Sequence, residues 1–312
     1  MIKLYLLSVI LKFFHLCFNY KMKKLSLLLV SLWYVLALLI SFRVTESVGD
    51  INNIWFKILI AHIIATIVIY IGSVINKNSS LYDPFWSLAP FPIIIFLCSI
   101  SDINNLSTLN KALISAPIIF WSIRLTRNWI ISWDGFSHED FRYIELKKGN
   151  KIKLELINFT GIHLIPTLQV NLSLLPLYFL FNSYELSSLN YSLIFASIFT
   201  TLAVIIETIA DEQMRLFRKD AKNDGVTMNR GLWKYSRHPN YFGEVMFWVG
   251  LYLMAFLSIN TPVWLILSPI SMLILFIFIS CPLMDNRSLK KRRDYKNYMA
   301  NTSQLFIWFP KI

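Results

Sequence analysis

Long apolar blocks alternate with short polar intervals along the chain. The blocks lie at residues 25–42, 54–75, 86–100, 112–123, 161–181, 190–210, 245–259 and 261–283. A bilayer-spanning helix needs about 20 residues, so the third, fourth and seventh blocks must borrow flanking residues or tilt. The pattern predicts an all-α, polytopic transmembrane helical bundle of about eight spans. The charged segments between blocks run to about 30 residues each, which is room for short helices but not for a soluble domain with its own core.

Residues 1–24 form an N-terminal extension. Met22-Lys-Lys followed by an apolar run has the form of a membrane protein's natural start, so residues 1–21 read either as a spurious extension or as an interfacial helix. Residues 25–312 form a single transmembrane bundle.

Composition sharpens this picture in one respect. The net charge of +12 admits nucleic acid as a partner, but of 30 Lys and Arg residues seven fall in 124–158, seven in 211–240 and seven in 283–312. With eight spans these three segments share one side of the membrane with Lys23 and Lys24, and the positive-inside rule faces them to the cytoplasm. The charge therefore records topology, and no nucleic-acid partner is expected. Cys17, Cys98 and Cys281 lie in or beside apolar blocks and read as core residues.

The richest polar stretch is Gly231-Leu-Trp-Lys-Tyr-Ser-Arg-His-Pro-Asn-Tyr-Phe-Gly-Glu. Pro239 disfavours helix at His238 and suits the first position of a helix itself, so a helix is predicted to begin there. Asn240, Tyr241 and Glu244 occupy its first turns, while Arg230, Lys234, Arg237 and His238 lie on the approach. A helix N-terminus ringed by cations suits phosphate. A positively charged membrane boundary with aromatic anchors fits the same residues.

Four other polar segments fall on the same predicted side. Leu81-Tyr-Asp-Pro-Phe-Trp-Ser opens the third span, where Asp83 reads as a helix cap or as a catalytic group with Tyr82. Arg124 and Arg127 share a helix face as snorkelling anchors, and His138-Glu-Asp-Phe-Arg-Tyr then leads into a lysine-rich stretch read as a solvated loop. From the end of the sixth block onward, Glu207, Asp211, Arg215 and Arg218 fall at i, i+4, i+8 and i+11 on one predicted helical stripe. Glu207 lies inside an apolar block, where a carboxylate requires a partner or a water-filled cavity. The basic, aromatic tail after residue 283 can lie on anionic headgroups or fold over a cofactor.

The sequence has no Gly-x-Gly-x-x-Gly, no Walker loop and no nucleophile elbow. The five histidines have no metal-ligand spacing, so no metal is expected.

These motifs resemble the integral-membrane family of the steroid 5-alpha-reductase C-terminal domain and its relatives, over residues 81–312. The likeness rests chiefly on Ala210-Asp-Glu-Gln…Phe217 and on Gly231-Leu-Trp…Arg237-His-Pro-Asn-Tyr-Phe-Gly-Glu, with weaker support from Asp83-Pro-Phe-Trp-Ser, Glu139-Asp-Phe-Arg-Tyr and Ser280-Cys-Pro-Leu. The tail departs from the family at Cys281 and Asp285, where Gly and Glu are more usual. The resemblance implies NADPH, contacted by Asp211, Arg215, Arg218, Asn240, Tyr241 and Glu244, with Arg237, His238 and Arg287 as further contacts. It implies reduction of an enone-like C=C bond in a small hydrophobic, lipid or steroid-like substrate. Tyr82 and Asp83 are the nearest candidates for the group that meets the substrate carbonyl.

Two other readings stand beside it. Membrane methyltransferases share the Arg-His-Pro-x-Tyr-x-Gly pattern and use S-adenosylmethionine, although this chain has Asp285-Asn-Arg where such enzymes carry paired glutamates. A non-catalytic lipid-binding protein would bind neither cofactor.

Overall fold

The structure is a computed structural model that describes residues 2–47, 53–100, 106–147, 151–184 and 186–311, with side chains described outside 2–21 and 151–153. The side-chain expectations for Cys17, Lys151 and Lys153, and Lys148 altogether, lie outside what is described. In chain order the α-helices are α1 Ile2–Ser47, α2 Ile54–Ile75, α3 Phe85–Leu88, α4 Pro90–Ile100, α5 Thr108–Ser132, α6 Phe141–Leu146 and α7 Lys151–Ile157. They continue with α8 Ile165–Ser173, α9 Leu175–Phe181, α10 Tyr191–Lys219, α11 Pro239–Ser258, α12 Leu267–Leu275, α13 Cys281–Lys291 and α14 Tyr295–Asn301. No strand occurs among the described residues.

Among the described residues, seven stretches are long and apolar enough to cross a membrane: Met22–Ser47, Ile54–Ile75, Ser79–Ile100, Leu154–Phe181, Tyr191–Lys219, Pro239–Ser258 and Val263–Lys291. The protein is a polytopic helical membrane protein. The fourth apolar block, expected as an eighth span, lies within α5, a 25-residue helix that borrows polar flanks carrying Lys111, Arg124 and Arg127. Its 25 residues are long enough to cross, and it falls outside the seven by composition alone.

Several spans are interrupted. Leu154–Phe181 contains a π-helical turn at Asn158–Leu164, and Val263–Lys291 contains another at Phe276–Ser280. Such turns insert one residue into the helical ladder and re-aim the side chains beyond them.

The chain divides into two compact units: Met1–Pro92 with Ser122–Asn171, and Ile93–Trp121 with Leu172–Ile312. In the first, α1 packs on α2, and Gly72 is the close-approach point because a Cβ there would meet the Trp33 ring at 2.8 Å. Its core joins Val30, Ala37, Ile69, Leu81, Tyr82, Phe85 and Trp133.

The second unit is organised on the α10–α11 pair. Gly243 and Gly250, seven residues apart on one face of α11, let the two backbones meet. A Cβ at Gly243 would stand 2.7 Å from Cβ of Glu207, and one at Gly250 would stand 2.3 Å from Oγ1 of Thr200. Small residues at a seam are how membrane helices approach closely without a hydrophobic drive between them.

Candidate functional site

The stretch from Gly231 to Glu244 lies in the second unit, and local chemistry sets its shape. Gly231 takes a left-handed backbone with φ +58°, and a Cβ there would also collide with Gln213 at 2.5 Å. The tight turn Gly231–Lys234 then docks on α10. Leu232 N–H donates to Oε1 of Gln213 at 3.0 Å, and the Trp233 indole donates to the Ala210 carbonyl at 2.9 Å. As its proline predicts, α11 begins at Pro239, and the preceding His238 is non-helical with φ −138° and ψ 60°.

The C-terminal segment straps the other side of this stretch. The Tyr298 hydroxyl donates to the Trp233 carbonyl at 2.5 Å, with the Ser236 carbonyl also within reach at 3.1 Å. Ser236 donates to the Leu305 carbonyl at 2.8 Å, Arg237 N–H to Ser303 at 2.8 Å, and Trp308 N–H to Tyr235 at 3.0 Å. The tail therefore folds over this stretch, while the rings of Phe306, Trp308 and Phe309 remain exposed.

Asp285 on α13 is the hub beneath the strap. One carboxylate oxygen receives Nη2 of Arg237 at 3.0 Å, and the other receives Nε2 of His238 at 2.9 Å and the Tyr295 hydroxyl at 2.5 Å. Arg237 also donates through Nη1 to the Met299 carbonyl at 2.7 Å, and the His238 ring stacks on Tyr241 at 5.3 Å. Arg237, His238 and Asp285 are all buried. Burial, followed by the hydrogen bond to the Asp285 charge, raises the Tyr295 phenol far above the ordinary range; burial is also the main cause at Tyr298. Arg237 and His238, selected from sequence as cofactor contacts, are thus held by an internal carboxylate. Asp285 and Tyr295 were not selected, although the departure of the tail from the family pattern at Asp285 marked the position.

The polar stripe of α10 divides. Glu207 is buried against Gly243, and Asp211 accepts from Nδ2 of Asn240 at 3.1 Å, tying α10 to the first turn of α11. Arg215 instead turns to Glu212 on its own helix, and the pair is largely solvent-facing. Arg218 lies within electrostatic reach of Arg292 and Arg287, and of Asp211 and Tyr241. Arg218 thus feels the charges of Arg292, Arg287 and Asp211 near the end of α10, and Asp211 in turn reaches Asn240 in the first turn of α11. Glu244 points away from this cluster into the interior. Its two oxygens receive the indole N–H groups of Trp121 and Trp248, both at 2.8 Å.

Tyr82 and Asp83 belong to the first unit. Asp83 does not cap a helix: α3 has no side-chain cap, and Asp83 accepts the Tyr143 hydroxyl and faces Arg142 at 3.6 Å. The segment around it, expected as a solvated loop, is built in. Glu139 accepts Ser79 N–H and Lys147, both at 2.6 Å, and Asp140 caps α6.

Tyr82 is fully buried and heads a chain of hydroxyls. The Thr66 hydroxyl lies 2.8 Å from both the His62 carbonyl and Thr167, and Thr167 lies 2.8 Å from the Tyr82 hydroxyl; with Thr66 donating to the carbonyl, Thr167 donates to Thr66 and Tyr82 to Thr167. Each hydroxyl has one proton. The Tyr82 proton is committed inward, and its oxygen is left with acceptor capacity. Nearby His163 is satisfied at both nitrogens, by the Asn158 carbonyl and by Ser73. No group of metal-ligating side chains forms among the described residues.

Against known proteins, residues 69–302 match the family model described as a protein of unknown function, DUF1295. The chain belongs to that family. It is also 23% identical over 257 residues to a protein of Schizosaccharomyces pombe, uncharacterized protein C594.04c, covering 75% of this chain and 74% of the relative. No solved structure matches. The matched region takes in both polar segments, from Ser79–Tyr143 to Arg237–Tyr298.

Proposed function

We propose that this DUF1295 protein is an integral-membrane oxidoreductase that uses NADPH to reduce an activated C=C bond in a small hydrophobic substrate. The observation that carries the reading is the convergence of Arg218 with Arg287 and Arg292 beside the first turn of α11. Around Arg218 the charges of Arg292 and Arg287 outweigh the single Asp211 carboxylate, which leaves a net positive locus, and forked guanidinium donors match phosphate oxygens. The donor set fits a dinucleotide carrying an extra phosphate. Arg218, Arg287 and Arg292 would hold phosphates, and Asn240 and Tyr241 at the α11 N-terminus would meet the remaining polar groups.

When bound, NADPH supplies a hydride to the β-carbon of the activated double bond. The chain's own contribution is positional. The Asp285 hub and the tail strap fix residues 233–241, and so fix the α11 N-terminus on which the phosphates would rest. The resemblance to steroid 5-alpha-reductase-like proteins supports this chemistry, and the clustered cations support a cytoplasmic face for the site and the C-terminus.

An S-adenosylmethionine-dependent methyltransferase would present a cationic sulfonium ligand without phosphate, and three converging arginines do not favour it. Thermal unfolding of the purified protein in detergent with NADPH, NADH and S-adenosylmethionine separates the readings, because a ligand that binds only the folded state raises Tm. NADPH is expected to stabilise most. Stabilisation by S-adenosylmethionine alone would overturn the reductase, and no response to any of them would favour a non-catalytic lipid-binding protein.

A further inference from the structure

His62 sits near the middle of α2, a helix apolar enough to cross the membrane, and is 4% exposed. Asn171, on α8 in the span Leu154–Phe181, is 1% exposed. The two side chains meet at 2.8 Å between the Asn171 amide nitrogen and Nδ1 of His62. Beyond that contact, Nε2 of His62 and Oδ1 of Asn171 have no hydrogen-bond partner.

This opening does not depend on how the imidazole proton or the amide is placed. If the amide N–H donates to Nδ1, then Nε2 carries the ring proton and Oδ1 is the open acceptor. If the amide is turned over, Nδ1–H donates to Oδ1, Nε2 becomes the open acceptor and the amide N–H the open donor. Either way the pair presents at least one donor and one acceptor, the second amide N–H being a further donor. Within a bilayer, where no bulk water answers such groups, leaving both unmet is costly, and polar side chains retained at that depth mark function.

The surroundings are aromatic and chemically closed. The His62 ring lies 5.6 Å from Phe85, which in turn lies 5.6 Å from Tyr82 and 5.9 Å from Tyr34. The Tyr34 hydroxyl donates to the Leu81 carbonyl at 2.8 Å, and the Tyr82 proton is committed to Thr167. The His62 ring thus stands against an aromatic wall, and aromatic walls with a few polar groups are the composition of a small-molecule site.

We propose that the His62–Asn171 pair is a recognition point for the hydroxyl of a membrane-soluble alcohol. A hydroxyl both donates and accepts, so one such group answers both open atoms. A ketone answers only the donor and leaves the acceptor unmet. This site is independent of the nicotinamide reading, because its ligand and its residues are different, and the ketone comparison separates it from the enone-binding step of that reading.

The test uses the full-length protein in detergent with a panel of long-chain and alicyclic alcohols of eight to twenty carbons, each beside its ketone or aldehyde and its parent hydrocarbon. No nicotinamide is added. At least one alcohol is expected to raise Tm by about 3 °C or more over its hydrocarbon, with the carbonyl partner weaker. The double variant His62→Phe, Asn171→Leu removes both open atoms together and is expected to fold with an undiminished Tm and to lose the alcohol-specific rise. A wild-type panel with no alcohol preference, or with carbonyl compounds stronger, overturns the proposal and leaves a pair met by water. An alcohol response unchanged in a folded double variant overturns it as well.

Discussion

His238 and Asp285 are 47 residues apart in the chain and meet at 2.9 Å through Nε2 and a carboxylate oxygen. Arg237 takes the other oxygen of the same carboxylate at 3.0 Å. The polar stretch that opens α11 is therefore anchored to α13, and the tail strap closes over it.

Removing the hub should be severe. Replacing Asp285 with Ala leaves the Arg237 guanidinium buried without its carboxylate, and breaking a buried pair in this way destabilises by about 3–5 kcal/mol. Asp285→Glu, which restores the charge on a longer side chain, is expected to recover part of the loss. Thermal inactivation half-times in detergent check both, and an unchanged half-time for Asp285→Ala would show that the hub is dispensable.

The α10–α11 seam should tolerate no added carbon. Gly243→Ala places a Cβ 2.7 Å from that of Glu207 and 2.8 Å from the Ala203 carbonyl, an overpacking expected to destabilise by about 1–3 kcal/mol or more. At Gly161 the nearest atom would be Ile157 Cγ2 at 3.7 Å, so Gly161→Ala should lie within about 0.5 kcal/mol of wild type. Tm measured on both variants in parallel tests the contrast.

Cofactor affinity should follow the arginine cluster rather than total charge. Arg218→Ala removes a charge-assisted phosphate contact and is expected to weaken NADPH binding about tenfold or more. Lys222→Ala removes an exposed cation just beyond α10 and should change Kd little. Calorimetric titration of the two variants distinguishes a shaped site from a diffuse basic surface; equal losses would refute the cluster.

Alkaline pH should loosen the strap. In the unfolded chain a phenol ionises at about pH 10. Tyr295 and Tyr298 keep their protons to higher pH when folded, because burial opposes the phenolate and, at Tyr295, Asp285 accepts the hydroxyl. Their stabilising contribution is therefore complete below about pH 10 and is lost as pH rises further toward the folded-state values, because the unfolded state then binds fewer protons. Tyr295→Phe should lower Tm at neutral pH, through the lost hydrogen bond, and flatten its decline between about pH 9.5 and 11. A parallel decline in variant and wild type would assign the alkaline transition elsewhere.

The side of the membrane is testable separately. Cysteines placed at Lys222 and at Lys311 should react with a membrane-impermeant maleimide only after cells are opened, as the distribution of cations requires. Labelling of intact cells at either position would reverse the topology.

What the sequence determined by itself is what local physics dictates. Runs of apolar residues must become helices in a bilayer because every backbone group has to be satisfied within the segment, and Pro239 placed a helix start because it disfavours helix at His238 and itself suits the first helical position. α5 was harder to read, since its apolar block is only twelve residues long and its polar flanks hide the helical continuation. Only the tertiary structure decided where the polar groups go. Glu244 meets the Trp121 indole across 123 positions, Arg237 takes the Asp285 carboxylate, and the Tyr82 proton is committed through Thr167 and Thr66. Periodicity says which face of a helix a residue shares, but not which helix stands opposite. For that reason the stripe read along α10 divided between the α11 interface, an outward pair at Arg215 and an arginine cluster at Arg218.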